Sequence, residues 1–139
     1  MKVYADNAAT TKISDVALDA MMPCFREFYG NPSSLHSVGQ KANEALVNAS
    51  ERIAKLLGCE AREITFTSGG SEADNQAIIS AARLGERKGK KHIISTAFEH
   101  HAVLHTLQRL EKEGFEVTYL DVKENHNVSA QQVKDAIRE

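Results

Sequence analysis

Two stretches of the sequence combine residue types that bind anions or move protons. The first is Ile64-Thr65-Phe66-Thr67-Ser68-Gly69-Gly70-Ser71-Glu72-Ala73-Asp74-Asn75. Ile64 and Phe66 give it β character, the glycine pair permits a turn with positive φ, and Ser71 is expected to cap a helix with Asp74 in capping-box spacing. Such a turn directs free N–H groups and the positive end of a helix dipole outward, so a phosphate can settle beside the Ser71 hydroxyl. A capped turn with no ligand accounts for the same residues. The second stretch, Ala97-Phe98-Glu99-His100-His101-Ala102-Val103-Leu104-His105, holds three histidines in six positions. Three readings compete there. His101 and His105, four apart, could chelate a metal on one helix face, but no third ligand declares itself. The histidines could be cap and surface groups. Or one of them acts at a ligand, with His100 favoured because it would start a helix at the mouth of a pocket. His36, His92 and His126 are assigned no chemistry.

The elements that position these stretches follow from hydrophobic period and punctuation. Val3-Tyr4-Ala5 is extended and Asp6–Thr11 is a loop. Ser14 is expected to cap a helix over about 15–28, which carries Val16, Ala17, Ala20, Met21, Cys24, Phe25 and Phe28 at helical spacing, so Cys24 reads as a core-facing thiol. Pro23 should bend that helix. Gly30-Asn31-Pro32-Ser33-Ser34 is dense in turn formers. A long helix from about 38 to 57 presents Ala42, Ala45, Leu46, Ala49, Ile53, Leu56 and Leu57 and ends at Gly58. Beyond the first stretch, alanines at 73, 77, 81 and 82 with Ile78 and Leu84 give a helix over 71–88 suited to close packing. A short buried strand at 93–96, a helix over 100–113 stopped by Gly114, a strand at 115–120 and a Ser129-capped helix with Val133 and Ile137 complete the order. Alternation of this kind predicts α/β architecture: a mostly parallel sheet with helices on both faces. Ligands on such sheets lie at the carboxyl ends of the strands, where both stretches fall.

Composition narrows the partners. At 139 residues and 42% hydrophobic, the chain can bury roughly two-thirds of its unfolded surface. Seventeen basic and nineteen acidic residues leave a net charge of −2, which gives no broad electrostatic case for nucleic acid or an acidic membrane surface. The basic cluster Arg87-Lys88-Gly89-Lys90-Lys91 falls at a helix end, where it matches the dipole. No apolar run approaches the roughly 18 residues of a membrane span, and Met1–Asp6 lacks a signal-peptide core, so a soluble, cytoplasmic protein is expected. Cys24 and Cys59 suggest no disulfide framework and fit a reducing compartment.

Taken together the sequence resembles the N-terminal part of the cysteine desulfurases, pyridoxal-phosphate enzymes of the class V aminotransferase superfamily and fold type I. Four landmarks in order carry the resemblance: Tyr4-Ala5-Asp6-Asn7-Ala8-Ala9-Thr10-Thr11, Gly30-Asn31-Pro32-Ser33-Ser34-Leu35-His36, Thr67-Ser68-Gly69-Gly70-Ser71-Glu72-Ala73-Asp74-Asn75, and Glu99-His100 with Ala102-Val103. The resemblance implies that residues 1–36 form a substrate-entrance segment with a helix, and 37–139 the first part of the cofactor-binding large domain. It implies that Gly70 and Ser71 hold the phosphate of pyridoxal 5'-phosphate, Ser71 standing where the family usually has threonine. His100 would stack on the pyridine ring and take part in proton transfer. Asn7, Ala8, Ala9 and Asn31 would lie near the substrate entrance. A carboxylate at Glu72 competes with phosphate for the same helix dipole, so its side chain should turn away.

The activity implied is conversion of L-cysteine to L-alanine, with the sulfur passed on as a persulfide to an acceptor or scaffold protein of iron–sulfur cluster assembly. A homodimer, or a complementing chain, is implied as well. Family members are several hundred residues long. Their Schiff-base lysine, the aspartate that pairs with the pyridine nitrogen, the nucleophilic cysteine and the carboxylate-binding arginine lie beyond position 139, so the chain alone is expected to bind cofactor weakly and to be inactive. Other answers remain: a selenocysteine lyase or an aminotransferase of the same class, a truncated or split chain that works only with a second one, or a phosphate-binding module unrelated to pyridoxal phosphate.

Overall fold

The computed structural model describes residues 1–122 and 127–138, so His126 lies outside the described residues. The chain divides into two units, Met1–Thr65 and a second that begins at Phe66.

In the first unit, Ser14 caps helix α1 (Asp15–Arg26) as expected, its hydroxyl accepting from Ala17 N at 3.2 Å. Pro23 has no N–H for the carbonyl of Asp19, yet the helix runs on for one turn, and Glu27 N and Phe28 N both close on Pro23 O. It ends at Arg26, short of the expected Phe28. No residue of α1 is buried, and Cys24 is exposed rather than core-facing. Apolar spacing identifies a stripe and not what covers it.

Helix α2 (Ser37–Leu57) starts from His36, whose Nδ1 accepts from Gly39 N at 3.3 Å. Gly39 is buried against the preceding turn, where a Cβ would lie 2.5 Å from Ser34 O and 2.7 Å from Asn31 O. Only a glycine permits that approach. At the other end Gly58 adopts the left-handed conformation (φ 71°), the stop that its place in the sequence predicts. A 3₁₀ turn (Ala61–Glu63) follows. Ile64–Phe66, expected as a strand, is assigned no strand and pairs with none among the described residues, although Ile64 is extended (φ −88°, ψ 123°). Strand propensity needs a neighbouring edge before it becomes a ladder.

The second unit is a βαβ arrangement with a helix before and after it. Helix α3 (Gly70–Glu86) leads to strand β1 (His92–Thr96), helix α4 (His101–Lys112), strand β2 (Glu116–Leu120) and helix α5 (Ala130–Ala136). The strands pair in parallel, Ile93 opposite Val117 and Ile94 opposite Thr118, which bears out the α/β reading. β1 is half-buried throughout rather than fully buried. Ala82 packs with Leu110 and Phe115, flanked by Ile78 and Ile93. Alanine at 82 lets the partner side chains approach α3 closely. Leu107 and Leu110, one helical turn apart on α4, are each 1% exposed. Phe115 is roofed by cations: Arg83 and Lys91 each lie 5.5 Å from its ring centroid. Glu86 and Glu113 hold them there, Glu86 pairing with Lys91 at 2.8 Å and Arg83 at 2.9 Å, and Glu113 with Arg83 and Arg109. Ser129 and Gln132 form the capping box that starts α5. Among the described residues no helix is long and apolar enough to cross a membrane.

Candidate functional site

The start of α3 differs in detail from its sequence reading. Gly69 is the N-cap, and Ser71 is the second helical residue, not the cap. Gly69 is extended (φ 164°), and the positive-φ glycines among the described residues are Gly58, Gly89 and Gly114, so the expected left-handed turn at Gly69-Gly70 is absent. Asp74 closes no capping box. Glu72 does a related job instead, its carboxylate accepting from the backbone N–H of Ser68 at 2.7 Å and from the Ser68 hydroxyl at 2.6 Å. The Ser68 hydroxyl first, and its N–H second, hold the Glu72 carboxyl below the usual glutamate range. Gly69 has no side-chain oxygen to supply the cap half of a capping box, and Glu72 bonds the N–H of Ser68, one position before the cap.

What this leaves is an open anion-binding end. The first helical bond is Ala73 N to Gly69 O at 3.1 Å, so the N–H groups of Gly70, Ser71 and Glu72 precede the ladder. Nothing lies within 4 Å of the space a Cβ would take at Gly69 or Gly70. A phosphate at this end would meet the positive end of the dipole, which it would share with the Glu72 carboxylate held on Ser68.

His100 is the N-cap of α4, its Nδ1 accepting from Ala102 N at 3.1 Å. Accepting that bond leaves Nδ1 without a proton and fixes the ring at the helix start. The cap reading of the histidines is thus correct for His100, and it does not compete with a ligand role for the ring face. His101 and His105 stack with centroids 5.2 Å apart and planes at 27°. Among the described residues no group of three or more His, Cys, Asp or Glu gathers around a possible metal.

The two helix starts meet in one cleft of about 350 Å³, lined by Ser71, Asn75, His100, His105, Thr106 and Arg109 among others. Asn75 ties them together: its Nδ2 donates to Ser71 O (2.7 Å) and Ala102 O (3.3 Å), and its Oδ1 accepts from the Thr106 hydroxyl (2.6 Å). The sequence reading gave neither Asn75 nor Thr106 a role. Their signal is that both are poor helix formers placed inside helices, where the side chain needs a reason to be polar. A larger groove of about 430 Å³, lined mainly by apolar groups such as Ile78, Ile93, Leu107 and Phe115, contains none of the residues singled out for chemistry.

The other candidates belong to the first unit. Asn7, Ala8 and Ala9 form an exposed turn closed by Ala9 N to Asp6 O at 3.2 Å. Asn31 uses its side chain on its own turn, Oδ1 accepting from Ser33 N at 2.9 Å. His36 caps α2, and His92 starts β1 with Nε2 at 2.8 Å from the Thr118 hydroxyl.

The model of the aminotransferase class-V family matches residues 3–139. This chain belongs to that family. Its relatives include the cysteine desulfurase IscS of Clostridium botulinum (strain Hall), 53% identical over 136 residues, or 98% of this chain and 34% of the relative. The cysteine desulfurase IscS of Methanosarcina thermophila is 47% identical over 137 residues, 99% of this chain and 34% of the relative. Among solved structures, a NifS-like protein superposes with a TM-score of 0.92 at 40% identity, covering 100% of this chain and 38% of its own. Another, SspA in complex with cysteine, gives 0.85 at 42% identity over 94% of this chain and 38% of its own. The chain therefore spans about a third of the length of these class-V relatives. The two-stranded parallel sheet with its helices is part of the fold they share.

Proposed function

We propose that the chain supplies the phosphate and ring contacts of a pyridoxal-phosphate-dependent cysteine desulfurase, which converts L-cysteine to L-alanine and passes the sulfur on as a persulfide. One observation carries this reading: Ser71, at the open end of α3, and His100, at the start of α4, line a single cleft. The N–H groups of Gly70 and Ser71 and the Ser71 hydroxyl would hold the phosphate. The His100 imidazole would cover one face of the ring, with Nε2 as the nitrogen free to hold or move a proton. When bound, the cofactor supplies an electron sink for negative charge at the substrate α-carbon. Asn7, Ala8, Ala9 and Asn31 are assigned to the substrate entrance on their family resemblance alone, as is the division of the chain into a segment of residues 1–36 and the start of a large domain. The cysteine desulfurase relatives and the SspA complex with cysteine support L-cysteine as substrate, and an iron–sulfur assembly role is assigned on the family resemblance alone. A reducing compartment fits the free cysteines, and a cytoplasmic homodimer is assigned on the family resemblance alone.

The test uses the full-length protein that contains this chain. It should release alanine from L-cysteine, and Ser71→Ala and His100→Ala should each weaken cofactor binding, the latter by up to about tenfold. Release of alanine from selenocysteine but not from cysteine would assign a selenocysteine lyase instead. Unchanged cofactor affinity in both variants would remove the site from the cofactor altogether.

A further inference from the structure

We propose that Asn75 is a positioning residue that, with Thr106, sets the distance between the phosphate-binding start of α3 and the ring-stacking His100. This rests on the phosphate and ring roles given above to Ser71 and His100.

The orientation of the Asn75 carboxamide is determined by its partners. Its nitrogen faces the carbonyls of Ser71 (2.7 Å) and Ala102 (3.3 Å), which only accept, and its oxygen faces the Thr106 hydroxyl at 2.6 Å. Reversing the amide would set oxygen against two carbonyl oxygens. The carbonyls held in this way belong to the second residue of each helix. Ser71 is itself the phosphate candidate. Ala102 receives Asn75 at its carbonyl and gives its N–H to His100 Nδ1 at 3.1 Å, so a shift of Asn75 reaches the imidazole through one residue. Thr106 is 3% exposed, and its hydroxyl also lies 2.8 Å from Ala102 O, so its one proton serves two acceptors away from water. A buried hydroxyl and an amide that join two helix starts make a rigid spacer. The phosphate and ring of the cofactor are a fixed distance apart, so a spacer between their two binding groups sets how well both engage at once.

The experiment titrates pyridoxal phosphate into the full-length apoprotein. It follows affinity by absorbance and the ring's environment by induced circular dichroism in the cofactor band, with thermal unfolding of each apoprotein as the control. Asn75→Ala and Thr106→Val should each weaken affinity about tenfold and reduce the dichroism. The double variant should be no worse than the weaker single one, because both remove the same spacer. Thr106→Ser, which keeps the hydroxyl, should restore affinity and dichroism to near wild type. Lower unfolding temperatures with unchanged affinity and dichroism would overturn the proposal, since they describe a purely structural contact. Should Asn75→Ala not fold, the Thr106→Val and Thr106→Ser pair decides, and equal affinity in the two overturns it. Failure of the wild-type protein to bind, or of Ser71→Ala to weaken binding, would instead overturn the underlying cofactor reading, a result visible before the Asn75 and Thr106 variants are compared.

Discussion

The carboxylate of Glu72 accepts two hydrogen bonds from Ser68, from its N–H at 2.7 Å and its hydroxyl at 2.6 Å. The contact keeps an anion at the helix start, where the dipole favours it, and occupies Ser68 so that the following N–H groups stay open. Both bonds favour the charged carboxyl and lower its pKa. A carboxyl lowered in the folded state stabilises the fold fully above the unfolded glutamate value of about 4.3, and the contribution disappears as pH falls through the folded value. NMR titration of Glu72 should give a pKa below the ordinary glutamate value of about 4.3, and Glu72→Gln should flatten the acid limb of the stability curve. A measured value above that figure would mean the Ser68 contact does not form in solution.

The cap that His100 forms and the ring contact proposed for it can be separated. Asparagine is a good N-cap, so His100→Asn should leave thermal stability within a few tenths of a kcal/mol, about the spread among good caps. The same change removes the imidazole, and stacking of aromatic groups contributes roughly 0.5–1.5 kcal/mol, so cofactor affinity should fall by up to about tenfold. Equal affinity for His100→Asn and wild type would leave the histidine as a cap alone.

Leu107 and Leu110 are each 1% exposed, and Leu110 belongs to the Phe115 cluster. Truncation of either to alanine should cost about 2–5 kcal/mol through lost burial and the cavity left behind. Urea unfolding followed by circular dichroism checks this. A loss under about 1 kcal/mol would place these side chains outside the cooperative core.

Two glycines separate two reasons for being glycine. At Gly58 the backbone is left-handed (φ +71°) with nothing within 4 Å of a Cβ, so Gly58→Ala should cost only about 1 kcal/mol of backbone strain. At Gly39 a Cβ meets the carbonyl oxygens of Ser34 and Asn31, so Gly39→Ala should cost roughly 3 kcal/mol and displace the Asn31 turn. Comparison of the two melting temperatures tests the order, and a larger loss at Gly58 contradicts it.

Much of the fold was legible because helix signals are local. Ser14, Gly58, Gly114 and Ser129 each mark their helix end where the sequence places it, since a cap is decided by two or three neighbouring residues. The parallel strands followed from alternation with helices. Less local features were misread. Ile64–Phe66 has strand composition but pairs with no strand among the described residues, and the α1 stripe that carries Cys24 has spacing but no cover. The candidate site residues Ser71 and His100 are visible in the sequence as a hydroxyl beside a glycine pair and a histidine at a helix start. Asn75 and Thr106 are not, because their partners lie 27 and 31 residues away in sequence and only the fold brings them together. The cap of α3 was placed two residues late because glycine, which has no side chain to signal a cap, took the position.

The pairing of β1 with β2 has a consequence for synthesis on the ribosome. The side chain of His92 on β1 finds its hydrogen-bond partner on β2, the Thr118 hydroxyl, 26 residues later in the chain. At about 5–20 residues per second, β1 and its isoleucines wait on the order of one to five seconds after leaving the ribosome before that partner is made. Throughout that interval an unpaired apolar strand edge is open to other nascent chains. How soon α4 forms and folds back over it therefore governs how much of the newly made protein reaches its native pairing.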